Sequence, residues 1–380
     1  MTRIAVTYQR PLEDTFHGGV RHIRGFVEGL ARSFDLEVVA PRPFYDPHEG
    51  REPGLMLRLE NTGRANVHLL RFILREARTS RRRRAALLLS FDFYTAPLTL
   101  LWAKIARVPF VYYVQDYMPE LVASMRRSQQ RGARLLWALR APIEHFLLRE
   151  SSEILVVTEE IKARLVQDGF AERRIRVCGF THPPPTADPE AIQRWTSRLG
   201  LDKHTGVVFL GNLGYPPNLH AATYVTETLA PAVGRAQPEV RILLVGPGTN
   251  QYKGKAPANV EPLGPVDDLD GLLFACHVGI APLDFGSGIS GKVRDYLLHG
   301  LISVVTPAAS QGIPPSCDSA VVCPMDRFTD TLLEVLHAGK AVPGHLRPVS
   351  PEIQRAYSGD TSIRSVSDDL QGMLSEPSPD

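Results

Sequence analysis

Short apolar runs alternate with longer amphipathic stretches along this chain, and after a proline-rich break the alternation begins again. No other feature narrows the fold as far. A strand buried on both faces reads as a continuous apolar run, and two parallel strands need a crossover, usually a helix, between them. "RIAVTY" is such a run. "GGVRHIRGFVEGLARSF" follows, with Ile23, Phe26, Val27 and Leu30 on one helical face, and then comes "LEVVAP". That order predicts a β-loop-α-β unit, the opening of a doubly wound sheet. "ALLLSF", "FVYYVQD" and "EILVVT" continue the strand series.

Pro183, Pro184 and Pro185 then interrupt the pattern, and three consecutive prolines are stiff and extended, as a linker should be. "GVVFLGN", the helical "PNLHAATYVTETLAPAV", "RILLVGPG", "VGIAPL" and "LISVVTP" restart it. The 380 residues suffice for two cores. The expectation is an α/β protein of two Rossmann-like, doubly wound domains facing each other across a cleft. They span residues 1–182 and 183–350, and a helix in 351–380 packs back toward the first domain ahead of a disordered tail. Ligands of such sheets sit beyond the carboxyl ends of the strands, so the loops there are the places to search.

Four of those loops can carry chemistry. In "FHGGVRH", Gly18 and Gly19 let backbone N–H groups approach a phosphate or a sugar, or simply form a tight turn. In "VYYVQDYMPE", Gln115 and Asp116 end a strand; Asp116 can orient a sugar hydroxyl, move a proton, or merely cap a helix. In "FLGNLGYPPN", Gly211 and Gly214 bracket a short turn, with Asn218 as a plain N-cap on the simpler reading. The fourth, "DFGSGISGKVRDYLLHGLISVVTP", holds Gly286, Gly288 and Gly291, then Lys292, one of only seven lysines. Loop N–H groups and an ammonium can clamp a diphosphate, and Asp295, one helical turn on, can accept from a ribose. The alternative is a Lys292–Asp295 ion pair on a solvated helix, worth a few tenths of a kcal/mol. A bare turn needs one glycine, so three within six positions favour a ligand that approaches the backbone closely.

The C-terminal half resembles the nucleotide-sugar-binding domain of retaining GT-B glycosyltransferases, the family 4-like, group 1 transferases. "FLGNLGYPPNLHAA", "LLVGPG" and "LGPVDDLDGLLFACHVGIAPLDFGSGISGKVRDYLLHGLISVVTP" carry the likeness. The N-terminal half is similar more loosely, through "GGVRH" and "VQDYMPE", and would be the acceptor-binding domain. The resemblance implies that Asp295 binds the donor ribose and that Gly286, Ser287, Gly288, Ile289, Ser290 and Lys292 lie by the diphosphate. It adds Gly211 and Asn212 to the donor site and sets Val266 against the base. Gly18 and Gly19 would approach from the other domain. Ser287 stands where the family has an earlier glutamate, and Gln115 where it has a histidine, so Lys292, Asp116 and Gln115 are the catalytic candidates.

The reaction implied is transfer of a sugar from a nucleoside-diphosphate donor, UDP the commonest, to a hydroxyl acceptor with retention of configuration. The acceptor would be a lipid-linked saccharide, a polysaccharide precursor or a secondary metabolite. A nucleotide-sugar epimerase or hydrolase of the same fold, or a decayed nucleotide-sugar-binding partner subunit, are the alternatives. No metal-ligand spacing is seen and no cofactor is expected, the donor being a co-substrate.

Charge adds a partner. Residues 1–180 hold 29 Lys and Arg against 20 Asp and Glu, whereas the remainder holds 14 against 21. Arg71 to Arg84 and Arg126 to Arg149 are arginine-rich, the latter interleaved with Leu135, Leu136, Trp137 and Leu139. Such stretches suit an anionic membrane surface, or else a plain solvated helix face. No nucleic-acid motif appears. "MTRIAVTYQR" has no apolar core of a signal peptide, and the four scattered cysteines suit a reducing compartment. The expected location is cytoplasmic, at the inner face of the membrane.

Overall fold

The computed structural model describes residues 1–9, 12, 18–41, 55–80, 83–115, 131–179, 185–285, 290–314, 317–339, 341–358 and 360–375. The chain forms two units. Among the described residues, the first holds those up to 179 and takes the chain back at residue 357, in the last turn of a helix; the second holds 185–356.

The first unit is a parallel sheet of β1 (Arg3–Thr7), β2 (Asp35–Val39), β3 (Leu87–Ser90), β4 (Phe110–Val114), β5 (Glu153–Val156) and β6 (Ile175–Val177), in the order β2-β1-β3-β4-β5-β6. Ile4 pairs with Leu36 on one side and Leu87 on the other. Its helices are α1 (Gly18–Leu30), α2 (Leu55–Arg78), α3 (Ala96–Ala106), α4 (Arg131–Glu150) and α5 (Glu159–Gln167). Right-handed crossovers put α1 on one face of the sheet and α2 to α5 on the other, because only the first connection runs toward the β2 edge. Ile23, Phe26, Val27 and Leu30 are all buried, as their spacing requires. Of the basic run, Arg81 and Arg82 lie outside the described residues. Arg84 is spent locally, donating to Thr79 O at 2.9 Å and Ala77 O at 3.0 Å at the end of α2.

The second unit opens with α6 (Pro189–Leu199), which starts on an Asp188 cap and Pro189 and stops at Gly200 in the left-handed region (φ 64°). Then come β7 (Thr205–Leu210), α7 (Pro216–Tyr224), a π-turn (Val225–Leu229) and α8 (Ala230–Ala236). The rest comprises β8 (Val240–Val245), β9 (Val260–Gly264), α9 (Leu269–Ala275), β10 (Val278–Ala281), α10 (Gly291–Leu298), β11 (Ile302–Val305), β12 (Ala320–Val322), α11 (Phe328–His337) and α12 (Pro351–Ser358). All six strands are parallel, in the order β12-β11-β10-β7-β8-β9. The winding direction reverses between β7 and β10, and a crevice opens at their carboxyl ends.

The last helix, α13 (Asp360–Ser375), belongs to the first unit. It lies on α1: a Cβ at Gly29 would sit 2.3 Å from Ile363 Cδ1, so only glycine admits this side chain. Arg176 in β6 pairs with Asp369 at 3.0 Å. Together the two units are a pair of Rossmann-like domains of GT-B architecture.

Candidate active site

The switch point of the second unit gathers its residues from the ends of two strands and the starts of the helices that follow them. Tyr296 of α10 ties the strands together. Its hydroxyl accepts from Leu210 N at 2.7 Å and donates to Ile280 O at 3.2 Å, closing the ends of β7 and β10 onto one side chain. Gly279 makes room for the ring, since a Cβ there would lie 2.3 Å from it. The helix that carries Lys292 is therefore held against both strands.

Lys292 Nζ donates to Asn218 Oδ1 at 2.6 Å and sits 4.4 Å from the centroid of the Phe209 ring. Asn218 in turn donates Nδ2 to Asn212 O at 2.9 Å, and Asn212 Oδ1 accepts from Gly214 N at 2.9 Å. The turn after β7, the start of α7 and the start of α10 are thus one hydrogen-bonded unit. Burial pulls the Lys292 pKa from the ordinary lysine value down to about 7. A neutral amide and an aromatic face hold the ammonium without neutralising it, which leaves its charge for an anion.

Asn218 is not the N-cap. The helix starts on Tyr215 with no side-chain cap, and the buried Asn218 amide faces Lys292 instead. Sequence reasoning missed this role, and Phe209 and Tyr296 with it. The available signal was an asparagine placed just after two prolines, where the helix has fewer N–H groups to cap.

The solvated Lys292–Asp295 pair is also overturned. Asp295 is buried, and its Oδ1 accepts from Arg294 Nη2 at 2.7 Å and Nε at 3.2 Å, while Arg294 itself is fully buried. One residue faces the switch-point turn and the other an interior guanidinium.

The remaining site candidates are distributed as follows. Ser290 precedes α10, and its Oγ is buried with no hydrogen-bond partner among the described residues. Gly211 is small for packing reasons, a Cβ there meeting Asn218 Cγ and Phe209 at 3.1 Å. Gly246 (φ 123°) presses on the same turn, its would-be Cβ only 2.4 Å from Gly211 O. Val266 is half-buried against the apolar cluster that includes Trp195 and Leu210. Gly286, Ser287, Gly288, Ile289 and Asp116 lie outside the described residues.

In the first unit, Gly18 and Gly19 are the first two residues of α1. Gln115 follows β4, and its Nε2 is buried without a partner among the described residues. Asp92, beyond the end of β3, accepts from Gln9 N at 2.9 Å, Tyr94 N at 2.7 Å and Thr95 Oγ1 at 2.8 Å. Burial raises its pKa against those bonds. It fixes the turn after β1 to that after β3, at this sheet's own switch point. Among the described residues no three His, Cys, Asp or Glu side chains come together to hold a metal ion.

Comparison with known proteins agrees with this fold. No curated protein matches the chain. Among solved structures, Anabaena HepE in complex with UDP and glucose is similar at TM-score 0.67 and 14% identity, over 98% of this chain and 99% of that one. Sucrose-phosphate synthase from Thermosynechococcus elongatus is similar at TM-score 0.69 and 12% identity, over 98% and 99%. A putative UDP-N-acetylglucosamine 2-epimerase from Listeria monocytogenes is similar at TM-score 0.58 and 9% identity, over 100% and 98%. Residues 17–180 match the family of glycosyl transferase 4-like domains and residues 204–338 match glycosyl transferases group 1. With both halves so matched, the chain belongs to the group 1 glycosyltransferases and is an enzyme of the GT-B type.

Proposed function

We propose that this enzyme moves a sugar from a UDP-sugar to a hydroxyl of a lipid-linked saccharide or related acceptor, with retention of configuration. The observation that carries the proposal is Lys292, a half-buried ammonium with no carboxylate partner among the described residues, held by Asn218 and Phe209 at the switch point. An anion is what such a group is built to meet. The choice of UDP rests on HepE, whose complexes hold it.

In this reading the diphosphate lies between Lys292 and the N-terminus of α10, with Ser290 Oγ as a donor. Asp295 takes the ribose hydroxyls, oriented by the Arg294 pair. As the bond from the anomeric carbon to the diphosphate oxygen breaks, negative charge grows on the leaving group, and Lys292 stabilises it there more than in the ground state. The acceptor oxygen bonds the anomeric carbon on the face just vacated, and its proton passes to the leaving phosphate. Gln115, whose Nε2 has no partner among the described residues, and Asp116 orient the sugar from the first domain. No metal takes part.

The test is thermal unfolding with UDP, GDP and dTDP, with and without magnesium or a chelator. Ligand at about 100 times its Kd adds about 2.7 kcal/mol and raises the midpoint by a few degrees. UDP should do so without metal, and Lys292→Met should abolish it. No shift with any nucleotide would remove the donor assignment. The Listeria neighbour favours a second reading, an epimerase or hydrolase. It would turn over a UDP-sugar with no acceptor present, which the transferase should not do at a comparable rate. The same proposal puts the enzyme at an anionic membrane, where lipid-linked acceptors lie.

A further inference from the structure

The outer face of the first unit's helical layer is apolar where solvent meets it. Leu74 on α2 is 57% exposed, Leu101 and Ile105 on α3 are 54% and 64%, and Phe146 on α4 is 54%. Leu70 on α2 and Ile143 on α4 extend the set. Single exposed leucines are ordinary, but six on three neighbouring helices form a surface. The described residues of the second unit expose only Val322 and Leu346 among large apolar side chains.

The three helices lie side by side. Asn66 of α2 reaches Tyr94 O, just before α3, at 3.4 Å. Arg140 of α4 stacks its guanidinium on Phe93 at 4.2 Å and Tyr94 at 4.5 Å. Lys104 of α3 pairs with Glu150 of α4. Each helix turns its buried stripe to the sheet and keeps a second apolar stripe outside.

The exposed charges of these helices are nearly all of one sign. Arg71, Arg78, Lys104, Arg107 and Arg149 are exposed on or at the ends of these helices, and Arg75, exposed as well, pairs with Glu37 of β2. Among the described side chains of α2, α3 and α4 the one exposed carboxylate is Glu150, already paired. A second copy of the chain docking through this face would bring two cationic surfaces together, because a two-fold axis presents the same patch on both sides.

We infer that the α2–α3–α4 face is a membrane-docking surface whose occupant is an anionic lipid bilayer. Leu101, Ile105, Ile143 and Phe146 enter the boundary between headgroups and acyl chains, while the arginines extend to lipid phosphates. This deepens the membrane reading above and relocates it. Contact is made by a three-helix apolar face, and the basic run ending at Arg84 is secondary.

The test is flotation of the full chain with phosphatidylcholine vesicles, with and without phosphatidylglycerol. The native protein should float with the anionic vesicles only. Leu101→Ser with Ile105→Ser and Phe146→Ser should lower the partition coefficient about tenfold or more. Arg71→Gln with Arg78→Gln and Arg107→Gln should weaken binding and flatten its salt dependence. A UDP thermal shift on the same samples reports folding and the donor reading separately from lipid binding. Absence of flotation by the native protein overturns the inference. So does flotation unchanged in the serine variant, which would move the contact to another basic stretch. Dimerisation of the native chain without lipid, lost in the serine variant, would assign the face to a second copy and overturn it equally.

Discussion

Lys292 is the residue whose surroundings say most about its task. Its pKa is lowered to about 7 by burial, below the value of about 10.4 it has in an unfolded chain. The folded state therefore binds fewer protons than the unfolded one between those pH values, and stability contributed by this site rises with pH across that window. Below pH 7 the lysine is charged in both states and its burial penalty is fully present. The expected outcome is that Lys292→Met is stabilised relative to the native chain near pH 6, and that the difference shrinks toward pH 9 in denaturant titrations. A diphosphate favours the charged form, so UDP binding at pH 8 should take up a proton. Calorimetry in buffers of different ionisation enthalpy measures that uptake, and affinity should fall about tenfold per pH unit above 7. Asn218→Ala removes the acceptor that aims Nζ and should weaken UDP binding about fivefold, equivalent to about 1 kcal/mol. Asn218→Asp should move the pH dependence upward by pairing with the ammonium while repelling the ligand. The sequence showed Lys292 beside its glycines. It hid the acceptor, because Asn218 is far away in the chain and meets Lys292 only once β7 and β10 are neighbours.

Elements were legible in proportion to their burial. β1, β3, β4, β5, β7, β8, β10 and β11 all announce themselves as apolar runs, and so does β2 at an edge. β6, β9 and β12 were not expected, and each is an edge strand. An edge has one neighbour to pair with and an open flank, so β12 needs only three residues and β9 tolerates Pro262. α10 shows how an element can be read correctly while its contacts are not. Its helical spacing was plain, but Tyr296 acting as a clasp between two strand ends needs the strand order to be known. Tyr296→Phe deletes both hydroxyl bonds and leaves Leu210 N without its partner. The expected cost is about 1–3 kcal/mol of stability. Donor affinity should fall as well, since the helix that presents Lys292 loses its anchor. Parallel measurement of unfolding and of UDP titration separates the two effects. Gly279→Ala, which drives a methyl into the same ring, should cost about as much by overpacking.

At the scale of the whole molecule, the described part of the first unit comes from two stretches of chain, one before and one after the described part of the second. α13 closes over α1 through Ile363 in the Gly29 notch, burying Val366 and Leu370 as well. Residues 1–183 expressed alone should therefore be poorly soluble, and adding residues 357–380 as a fused segment should restore a cooperative transition. Ile363→Ala in the full chain should lower stability by about 2–5 kcal/mol, less if the notch collapses. The sequence suggested a terminal helix turning back, but not its partner, because a glycine in the middle of a helix looks like a flaw until the side chain that fills it is seen.

That return has a consequence for the order of events during synthesis. Translation runs from the amino end, and domains usually fold in the sequence in which they emerge. Here the first domain to leave the ribosome lacks a wall until α13 is made, so the second domain, made later, is the first able to finish. A half-built sheet with an apolar helix face uncovered must wait through the making of its neighbour. Slow decoding or termination just ahead of α13 would harm the amino-terminal half of this enzyme more than the half that interrupts it.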